Sequence, residues 1–342
     1  MLKIFLAGPL PSKNSSGGVA VFTLNLAEEL VHLGYEVIVF SNSKKQQVHR
    51  KYRIESIGSI RRISHQEHPD LIISSLWYSL FSIFVSNTIK VHLLHGFTNL
   101  KNYNYLKFWI MLLIDKLIRK KFTYILANSK FTKLINEEIF NLKVDGLYQI
   151  GLSNDEIRQL TTLDIKNKKK EILYVGRLVP AKNINLIIKN FLKIRSDSIL
   201  RIIGYGPEEG ALKKLANTDK TISFDGSKSH NEILKYYSDS KVFVSLNPVE
   251  PFGITYLEAL LTNNFIIAPD TGGHVDLLRK FPNRVALVNI NDSNAVQQAM
   301  LTSTNKELDN FSTQYDIQQF SYSRTVNDIF KVINSDSKKF KI

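Results

Sequence analysis

The sequence contains no cysteine, and only 3 methionines and 2 tryptophans occur among its 342 residues. The absence of cysteine excludes a disulfide framework, a thiol nucleophile and any zinc or iron–sulfur site with cysteine ligands. No uninterrupted apolar run reaches the roughly 18–20 residues that a membrane-spanning helix requires. The apolar run at the start of the chain is too short for a signal peptide, because a Gly-Pro loop follows at once. We therefore expect a protein of the reducing cytoplasm.

Acidic residues are fewer than basic ones, 31 against 45, and the formal net charge is +14. An excess of this size attracts phosphate-bearing partners, which include nucleotides, nucleic acids and anionic membrane surfaces. We expect no nucleic-acid partner, because no known nucleic-acid-binding module is recognisable in the sequence. With 44% hydrophobic and 22% charged residues, the composition is that of a globular protein, and the length predicts about two domains.

Short apolar runs alternate with amphipathic stretches, which is typical of βα units and a parallel sheet. The first series of predicted strands is 2–7, 36–41, 71–75, 90–94 and 124–127. The second series is 171–175, 200–204, 221–225, 242–246 and 265–268. The lysine-rich stretch between the two series predicts a linker. The sequence therefore predicts two doubly wound α/β domains, with ligands bound beyond the carboxyl ends of strands in a cleft between the domains.

Two loops of the predicted domains carry groups suited to a diphosphate. Gly17 and Gly18 precede a predicted helix, where the backbone can approach a ligand closely and free N–H groups are available. Arg177 and Lys182 follow the strand that ends at Gly176, and two cations there can neutralise a diphosphate leaving group. The alternatives are an ordinary strand-to-helix turn for the glycine pair and solvated surface charges for the cations.

A third loop, Gly-Tyr-Gly at 204–206, begins like a dinucleotide-binding fingerprint. Glu209 stands where the third glycine of that fingerprint belongs. We therefore interpret the loop as a structural turn and disfavour a nicotinamide-dependent enzyme.

The most informative stretch reads Asn-Pro-Val-Glu-Pro-Phe-Gly-Ile-Thr-Tyr-Leu-Glu and ends at Glu258. Its two carboxylates, Glu250 and Glu258, lie on either side of a glycine turn and a helix start. Backbone N–H groups near Gly253 and Ile254 can bind a diphosphate there, while each carboxylate holds hydroxyl groups of a sugar or a ribose. The alternative for Glu258 is structural, because Thr-x-x-Glu is also a capping box.

Three weaker signals remain. His95 lies at the carboxyl end of a predicted strand and is the histidine best placed to face the cleft, although a lone histidine is more often a structural hydrogen-bonding group. The loop Thr271–Gly273 permits close backbone approach, or forms a tight turn. The stretch Tyr103–Lys121 combines aromatic residues with a basic cluster, which suits an interfacial membrane helix. A core helix with a solvated basic end is the favoured interpretation of that stretch.

Glu250-Pro-Phe-Gly253, followed by Glu258, resembles the E-x7-E motif of retaining glycosyltransferase family 4, the glycosyl transferases group 1. Further resemblances follow in order along nearly the whole chain: Gly17–Gly18 to the glycine loop of the family, His95 to its cleft histidine, Arg177 with Lys182 to its phosphate-binding pair, and Thr271–Gly273 to a loop beside the donor. The resemblance implies a GT-B fold, in which two Rossmann-like doubly wound α/β domains face an interdomain cleft.

The resemblance also implies domains and their roles. Residues 1–164 would form the acceptor-side domain, residues 165–315 would bind the nucleotide-sugar, and residues 316–342 would form a helix that crosses back to the first domain. Two departures affect the donor side. Ala181 stands where many members carry an acidic residue, and His274-Val-Asp276 replaces an apolar residue and a glutamate.

The resemblance further assigns site residues. The donor diphosphate would be held by Gly17, Gly18, Arg177, Lys182, Gly253 and Ile254. Glu258 would bind the ribose, while Glu250, Phe252 and Gly253 would bind the donor sugar. His95 and Glu250 are the expected catalytic residues. No Asp-x-Asp motif is present, so we expect neither a metal nor another cofactor, and the nucleotide-sugar is a substrate.

The function implied is transfer, with retention, of a hexose-type sugar from a nucleotide-diphosphate-sugar to a glycan or lipid-linked acceptor. A UDP-sugar is the favoured donor, and cell-surface polysaccharide biosynthesis at the inner face of the cell membrane is the expected setting. The alternative is a non-catalytic subunit that binds a nucleotide-sugar. It would need a degenerate donor site, yet Arg177, Lys182, Glu250 and Glu258 are all present.

Overall fold

The computed structural model describes residues 2–11, 17–42, 47–48, 51–97, 105–194, 196–217 and 219–337. Residues 12–16 of the glycine loop, and Tyr103 and Asn104 of the aromatic and basic stretch, lie outside the described residues. The chain forms two compact units. The first unit comprises Met1–Ser153 and Phe320–Ile342, and the second unit is Asn154–Gln319.

The first unit contains a sheet in which every described strand pairing is parallel except that of β3 with β4. The described strands are β1 (Lys3–Ala7), β2 (Glu36–Ser41), β3 (Gln47–Val48), β4 (Arg53–Ser56), β5 (Leu71–Ser75), β6 (Ile89–Leu94), β7 (Tyr124–Ala127) and β8 (Gly146–Leu147). Their order is β3-β4-β2-β1-β5-β6-β7-β8. The central strands are apolar on both faces, as in parallel sheets covered by helices, and both Phe5 and Ile72 are fully buried.

Helices connect these strands. The described α-helices up to β8 are α1 (Gly18–His32), α2 (Ile60–Glu67), α3 (Ser79–Ser82), α4 (Tyr105–Lys121) and α5 (Lys130–Leu134). Helix α5 begins at a Ser129 cap, whose hydroxyl accepts a hydrogen bond from the Thr132 backbone N–H at 3.1 Å. Within the described ranges, no helix is both long enough and apolar enough to cross a bilayer.

The second unit repeats the architecture with parallel strand pairings throughout its described part. Its strands are β9 (Lys169–Val175), β10 (Ile199–Ile203), β11 (Ile222–Gly226), β12 (Ser240–Val244), β13 (Phe265–Pro269) and β14 (Val285–Val288), in the order β11-β10-β9-β12-β13-β14. Its helices are α6 (Asn154–Thr161), α7 (Ile184–Phe191), α8 (Glu209–Ala216), α9 (His230–Asp239), α10 (Ile254–Leu261), α11 (Val275–Leu278), α12 (Ser293–Ser303) and α13 (Phe311–Gln314).

The last helix, α14 (Tyr322–Ser337), belongs to the first unit. The Gln149 backbone N–H donates to the Asp328 carboxylate at 3.1 Å, and Thr325 Oγ1 donates to the Gln149 carbonyl at 2.7 Å. The second unit begins with α6, at Asn154, whereas the lysine-rich stretch predicts a boundary after residue 164. Helix α6 joins the second unit because Ile157 and Leu160 are buried and α6 packs against α10.

Candidate functional site

The second sheet has a switch point between β9 and β12. The connections after β9 and β10 lead to one edge of the sheet, and β12 starts the half that leads to the other edge. Loops that follow neighbouring strands of this kind diverge and leave a crevice for a ligand. Gly176 and Lys182 follow β9, and Asn247 and Glu250 follow β12. The topology thus brings together two sequence segments that lie about 70 positions apart.

Glu250, Lys182 and Asn247 form what we call the Glu250 cluster. The Lys182 ammonium forms a hydrogen-bonded ion pair with Glu250 Oε2, and Asn247 Nδ2 donates to the same oxygen at 2.8 Å. Burial alone would raise the pKa of the Glu250 carboxyl. The Lys182 ammonium and the Asn247 amide outweigh burial and hold that pKa below its usual value. Glu250 is therefore an ionised carboxylate that can only accept hydrogen bonds.

The turn after Glu250 positions the start of α10. Gly253 is the N-cap of α10 and has a φ of +87°. A Cβ at Gly253 would lie 2.5 Å from the Tyr256 ring, so both the space and the backbone conformation favour glycine. Among the described residues, no side chain caps this helix. Ile254 is its first residue, so the helix presents its uncapped positive end beside the Glu250 cluster.

Glu258 is a buried carboxyl group inside α10. The Tyr237 hydroxyl donates to Glu258 Oε2 at 2.8 Å. Burial raises the pKa of Glu258 to about 7, the Tyr237 hydrogen bond opposes that rise, and the Glu156 charge adds to it. The capping-box interpretation of Glu258 is wrong, because Gly253 is the N-cap of the helix and the carboxylate contacts Tyr237 instead.

The loop Thr271–Gly273 is tied to the Glu250 turn. The Gly273 backbone N–H donates to the Glu250 carbonyl at 2.7 Å, and Thr271 Oγ1 donates to the Pro248 carbonyl at 3.3 Å. The neighbouring His274 is fully buried, and its Nε2–H donates to a backbone carbonyl at 3.0 Å. Its Nδ1 has no hydrogen-bond partner among the described residues, and burial lowers its pKa. His274 is thus a neutral imidazole beside the Glu250 turn.

The other residues predicted to bind the donor differ in solvent exposure. Arg177 is exposed, and its backbone carbonyl accepts a hydrogen bond from the Tyr174 hydroxyl at 3.0 Å. Phe252, which lies between Glu250 and Glu258 in the sequence, is buried. In the first unit, Gly17 caps α1 and Gly18 begins it, and both are exposed with free space around the position of a Cβ. The ligand-binding roles assigned to these residues stay predictions.

His95 lies just after β6 in the first unit. Its Nε2 is 2.9 Å from Ser75 Oγ, its Nδ1 is 3.3 Å from the Tyr148 hydroxyl, and the Phe22 ring packs edge-on against it at 4.7 Å. Burial lowers the pKa of His95 well below its usual value. The imidazole is therefore neutral near pH 7, and it can donate or accept a hydrogen bond but is a poor general base.

A largely apolar cavity of about 410 Å³ extends from His95. The inner face of α4 lines it through Met111 and Ile114, and the loop after β5 contributes Leu76 and Trp77. The volume and lining suit a ligand with an apolar part. The cleft predicted between the domains stays a prediction.

The sequence does not predict three side chains that lie beside Glu250 and Glu258. Asn247 could have been found, because Asn-Pro-x-Glu places an amide three residues before the carboxylate. In the sequence, His274 stands out only as a departure from the family pattern. Tyr237 lies on α9, 21 positions from Glu258, and no local sequence pattern predicts the contact between them.

Two family models match the chain. The model described as Glycosyltransferase Family 4 matches residues 16–142, and the model described as Glycosyl transferases group 1 matches residues 155–315. These two regions include most of the described residues of both units.

Curated relatives match at low identity. The chain is 28% identical over 144 residues to an uncharacterized glycosyltransferase of Methanocaldococcus jannaschii, which covers 40% of this chain and 37% of that protein. It is 28% identical over 156 residues to the alpha-monoglucosyldiacylglycerol synthase of Acholeplasma laidlawii, which covers 40% of this chain and 39% of that protein. The chain thus spans about two fifths of the length of these two relatives.

Solved structures resemble the whole chain. HepE of Anabaena, solved in complex with UDP-glucose, has a TM-score of 0.72 at 15% identity and covers 99% of this chain and 100% of that chain. Such a likeness shows the fold, and the predicted α/β class with two Rossmann-like domains of the GT-B type is confirmed. The predicted family is confirmed as well: the chain belongs to glycosyltransferase family 4, the glycosyl transferases of group 1.

Proposed function

We propose that the protein transfers a hexose-type sugar from a nucleotide-diphosphate-sugar to a glycan or lipid-linked acceptor. The Glu250 cluster beside the uncapped start of α10 is the observation that carries the proposal. An ionised carboxylate, an ammonium group and an uncapped helix N-terminus lie there, after strands on either side of the switch point of a doubly wound sheet. Membership of the family supports this assignment.

In this proposal the diphosphate lies against the N-terminus of α10. The backbone N–H groups near Gly253 and Ile254 and the cations of Lys182 and Arg177 offset its charge. The Lys182–Glu250 pair has no net charge by itself, so Arg177 and the helix end supply the excess positive charge. Glu250 accepts hydrogen bonds from hydroxyl groups of the donor sugar, and Glu258 accepts them from the ribose.

The proposed reaction needs no protein nucleophile. The bond between the anomeric carbon and the diphosphate oxygen breaks, and a bond from the same carbon to an acceptor oxygen forms on the same face, with retention. The acceptor proton passes to the departing diphosphate. Catalysis then consists of positioning and of stabilising the negative charge on the leaving group. His95, being neutral, would hydrogen-bond the donor sugar rather than remove a proton. The proposal includes no metal, because cations and helix N–H groups would stabilise the leaving group.

On the acceptor side, the proposal assigns the cavity beside His95 to an acceptor with an apolar part. The Acholeplasma relative is named for a glucosyldiacylglycerol product, and HepE was solved with UDP-glucose. The HepE complex favours a UDP-sugar donor, and the name of the Acholeplasma relative favours a lipid-linked acceptor. The proposal further places the reaction at the cytoplasmic face of the membrane, in cell-surface polysaccharide biosynthesis.

A thermal-shift screen against UDP, GDP, ADP and TDP and their sugar conjugates tests the donor site. A ligand that prefers the folded state raises the unfolding midpoint, so one nucleotide family should raise it and the others should not. Lys182→Ala should abolish that rise, and Lys189→Ala, on the exposed side of α7 in the same unit, should keep it. If no nucleotide raised the midpoint, the donor site would have to be withdrawn.

Turnover separates an enzyme from a non-catalytic subunit. The protein should release nucleoside diphosphate when donor and acceptor membranes are supplied, and EDTA should leave the rate unchanged. Binding of a nucleotide-sugar without any release would favour the non-catalytic alternative.

A further inference from the structure

Helix α4 exposes an apolar face. The favoured interpretation from the sequence, a core helix with a solvated basic end, is only half correct, because few of its apolar residues are buried. Tyr105 and Leu106 are each 70% exposed. The other large apolar residues on the same side are about half exposed: Trp109, Ile110, Leu113 and Leu117. At 100° per residue, these six side chains fall within an arc of roughly 140° on the helix.

The charges of α4 are arranged asymmetrically. Lys116, Lys120 and Lys121 are exposed at the C-terminal end of this arc. Asp115, the one acidic residue in the helix sequence, lies on the inner side and pairs with Arg119 at 2.8 Å. The outward side therefore presents only apolar, aromatic and cationic groups. We name this surface, from Tyr105 to Lys121, the α4 outer face.

We propose that the α4 outer face binds the surface of an anionic lipid bilayer, with the helix lying in the plane of the interface. An interfacial helix combines an apolar face with aromatic residues and lysines, which contact acyl chains, the headgroup level and anionic headgroups respectively. The net charge of +14 adds a long-range attraction to such a surface.

Charge complementarity favours an anionic bilayer, rather than a second copy of the chain, as the partner of the α4 outer face. A twofold interface would place the α4 outer face against itself, and that face carries three lysines and no acidic residue. Anionic lipid headgroups supply the negative charge that a second α4 outer face lacks.

The inner side of α4 gives this surface a role in the proposed transfer. Met111 and Ile114 line the cavity that extends to His95, so a bilayer bound to the opposite side of α4 would lie one helix diameter from the cavity. This role rests on the proposed function. The binding of lipid itself does not, since the Glu250 cluster belongs to the second unit.

Co-sedimentation of the full chain with vesicles tests the proposal. We expect binding to phosphatidylcholine vesicles that contain about 30% phosphatidylglycerol, and at least tenfold weaker binding to phosphatidylcholine alone. Leu113→Glu should weaken binding to anionic vesicles by roughly tenfold or more, because it replaces an inserted side chain with an anion. Leu134→Glu is the matched control, since Leu134 is 55% exposed and Leu113 is 59% exposed, and this variant should bind like the natural chain.

Lysine variants test the electrostatic part. Lys120→Gln with Lys121→Gln should weaken binding by about tenfold, and Lys189→Gln with Lys193→Gln, two exposed lysines of the second unit, should not. In a Trp77→Phe background, Trp109 is the one remaining tryptophan, and its emission should shift to the blue on anionic vesicles. Nucleotide-induced thermal shifts should persist in the α4 variants. The thermal-shift and vesicle-binding measurements therefore distinguish an error in the donor-site proposal from an error in the lipid-binding proposal.

Three results would overturn the proposal. They are an absence of binding to anionic vesicles, equal binding by the Leu113→Glu and Leu134→Glu variants, and a dimer that Leu113→Glu converts to a monomer without changing vesicle binding. The last result would assign the α4 outer face to self-association.

Discussion

The two units share one architecture but differ in the chemistry at the carboxyl ends of their strands. In the second unit those ends carry the ionised Glu250, paired with Lys182, beside an uncapped helix start. In the first unit they carry His95, whose pKa is lowered by burial, and an apolar cavity lined by α4. A parallel sheet fixes where a ligand binds, and the loops that follow its strands decide which ligand.

The Glu250 cluster contains charged groups and the His95 imidazole is neutral, so the two units suit different parts of the substrates. Paired and hydrogen-bonded charges, such as those of the Glu250 cluster, suit a polar, anionic ligand. A neutral imidazole and an apolar cavity beside an exposed apolar helix suit a ligand that is partly hydrocarbon. In the proposed reaction, the nucleotide and diphosphate of the donor therefore belong with the second unit, and the acceptor belongs with the first. Four predictions test the chemistry of the two units, in order of decreasing expected effect.

Glu250→Ala should lower the rate of sugar transfer by about a thousandfold, because an interaction with the donor sugar and the partner of Lys182 are lost together. The measurement is single-turnover release of nucleoside diphosphate, with circular dichroism to confirm the fold. Glu307→Ala is the control, since it removes the partner of Lys241 in an exposed ion pair of the same unit and should leave the rate unchanged. Near-normal transfer by Glu250→Ala would reject the sugar-binding role.

Glu258→Gln should change how stability depends on pH. The folded pKa of Glu258, about 7, lies above its ordinary value of 4.5, so the folded state binds the proton more tightly. This contribution to stability is fully present below pH 4.5 and is lost as the pH rises to about 7. The loss is on the order of 3 kcal/mol. Urea unfolding of variant and natural chain at pH 5 and pH 8 should therefore show a relative gain for Glu258→Gln at pH 8. An identical difference at both pH values would contradict a raised pKa.

Gly253→Ala and Gly210→Ala should change stability in opposite directions. Gly253 has a positive φ and no room for a Cβ, so alanine should lower the free energy of unfolding by about 2 kcal/mol. Gly210 lies in α8, where a Cβ meets nothing within 4 Å, so alanine should raise that free energy by about 0.5 kcal/mol. Urea unfolding measures both. A neutral Gly253→Ala would show that the turn before α10 is more adaptable than its geometry indicates.

His95→Asn should leave nucleotide binding by the second unit unchanged and lower stability by about 1–2 kcal/mol, because contacts with Ser75 and Tyr148 are lost. His65→Asn, at an exposed position of α2, should have no effect on either quantity. Thermal shifts with and without nucleotide report both. Weaker nucleotide binding by His95→Asn, with unchanged binding by His65→Asn, would contradict the assignment of the nucleotide to the second unit.

Part of the candidate site could be predicted from local sequence. The motif that contains Glu250 and Gly253 predicts a carboxylate, a glycine turn and a helix start, because these features depend on neighbouring residues. The alternation of apolar runs predicts both sheets for the same reason. Helix α6 could not be assigned to its unit in this way, because the burial of Ile157 and Leu160 depends on packing with a helix about 100 positions away.

By itself, the sequence determined the α/β class, the family motif and the positions of the glycines and charges. Those properties follow from local periodicity, turn chemistry and residue type. Only the tertiary structure decided that Lys182 pairs with Glu250, that Glu258 contacts Tyr237 and that α4 exposes its apolar face. Each of these depends on which distant segment packs against a residue, and therefore on desolvation and pairing that no short stretch of sequence encodes.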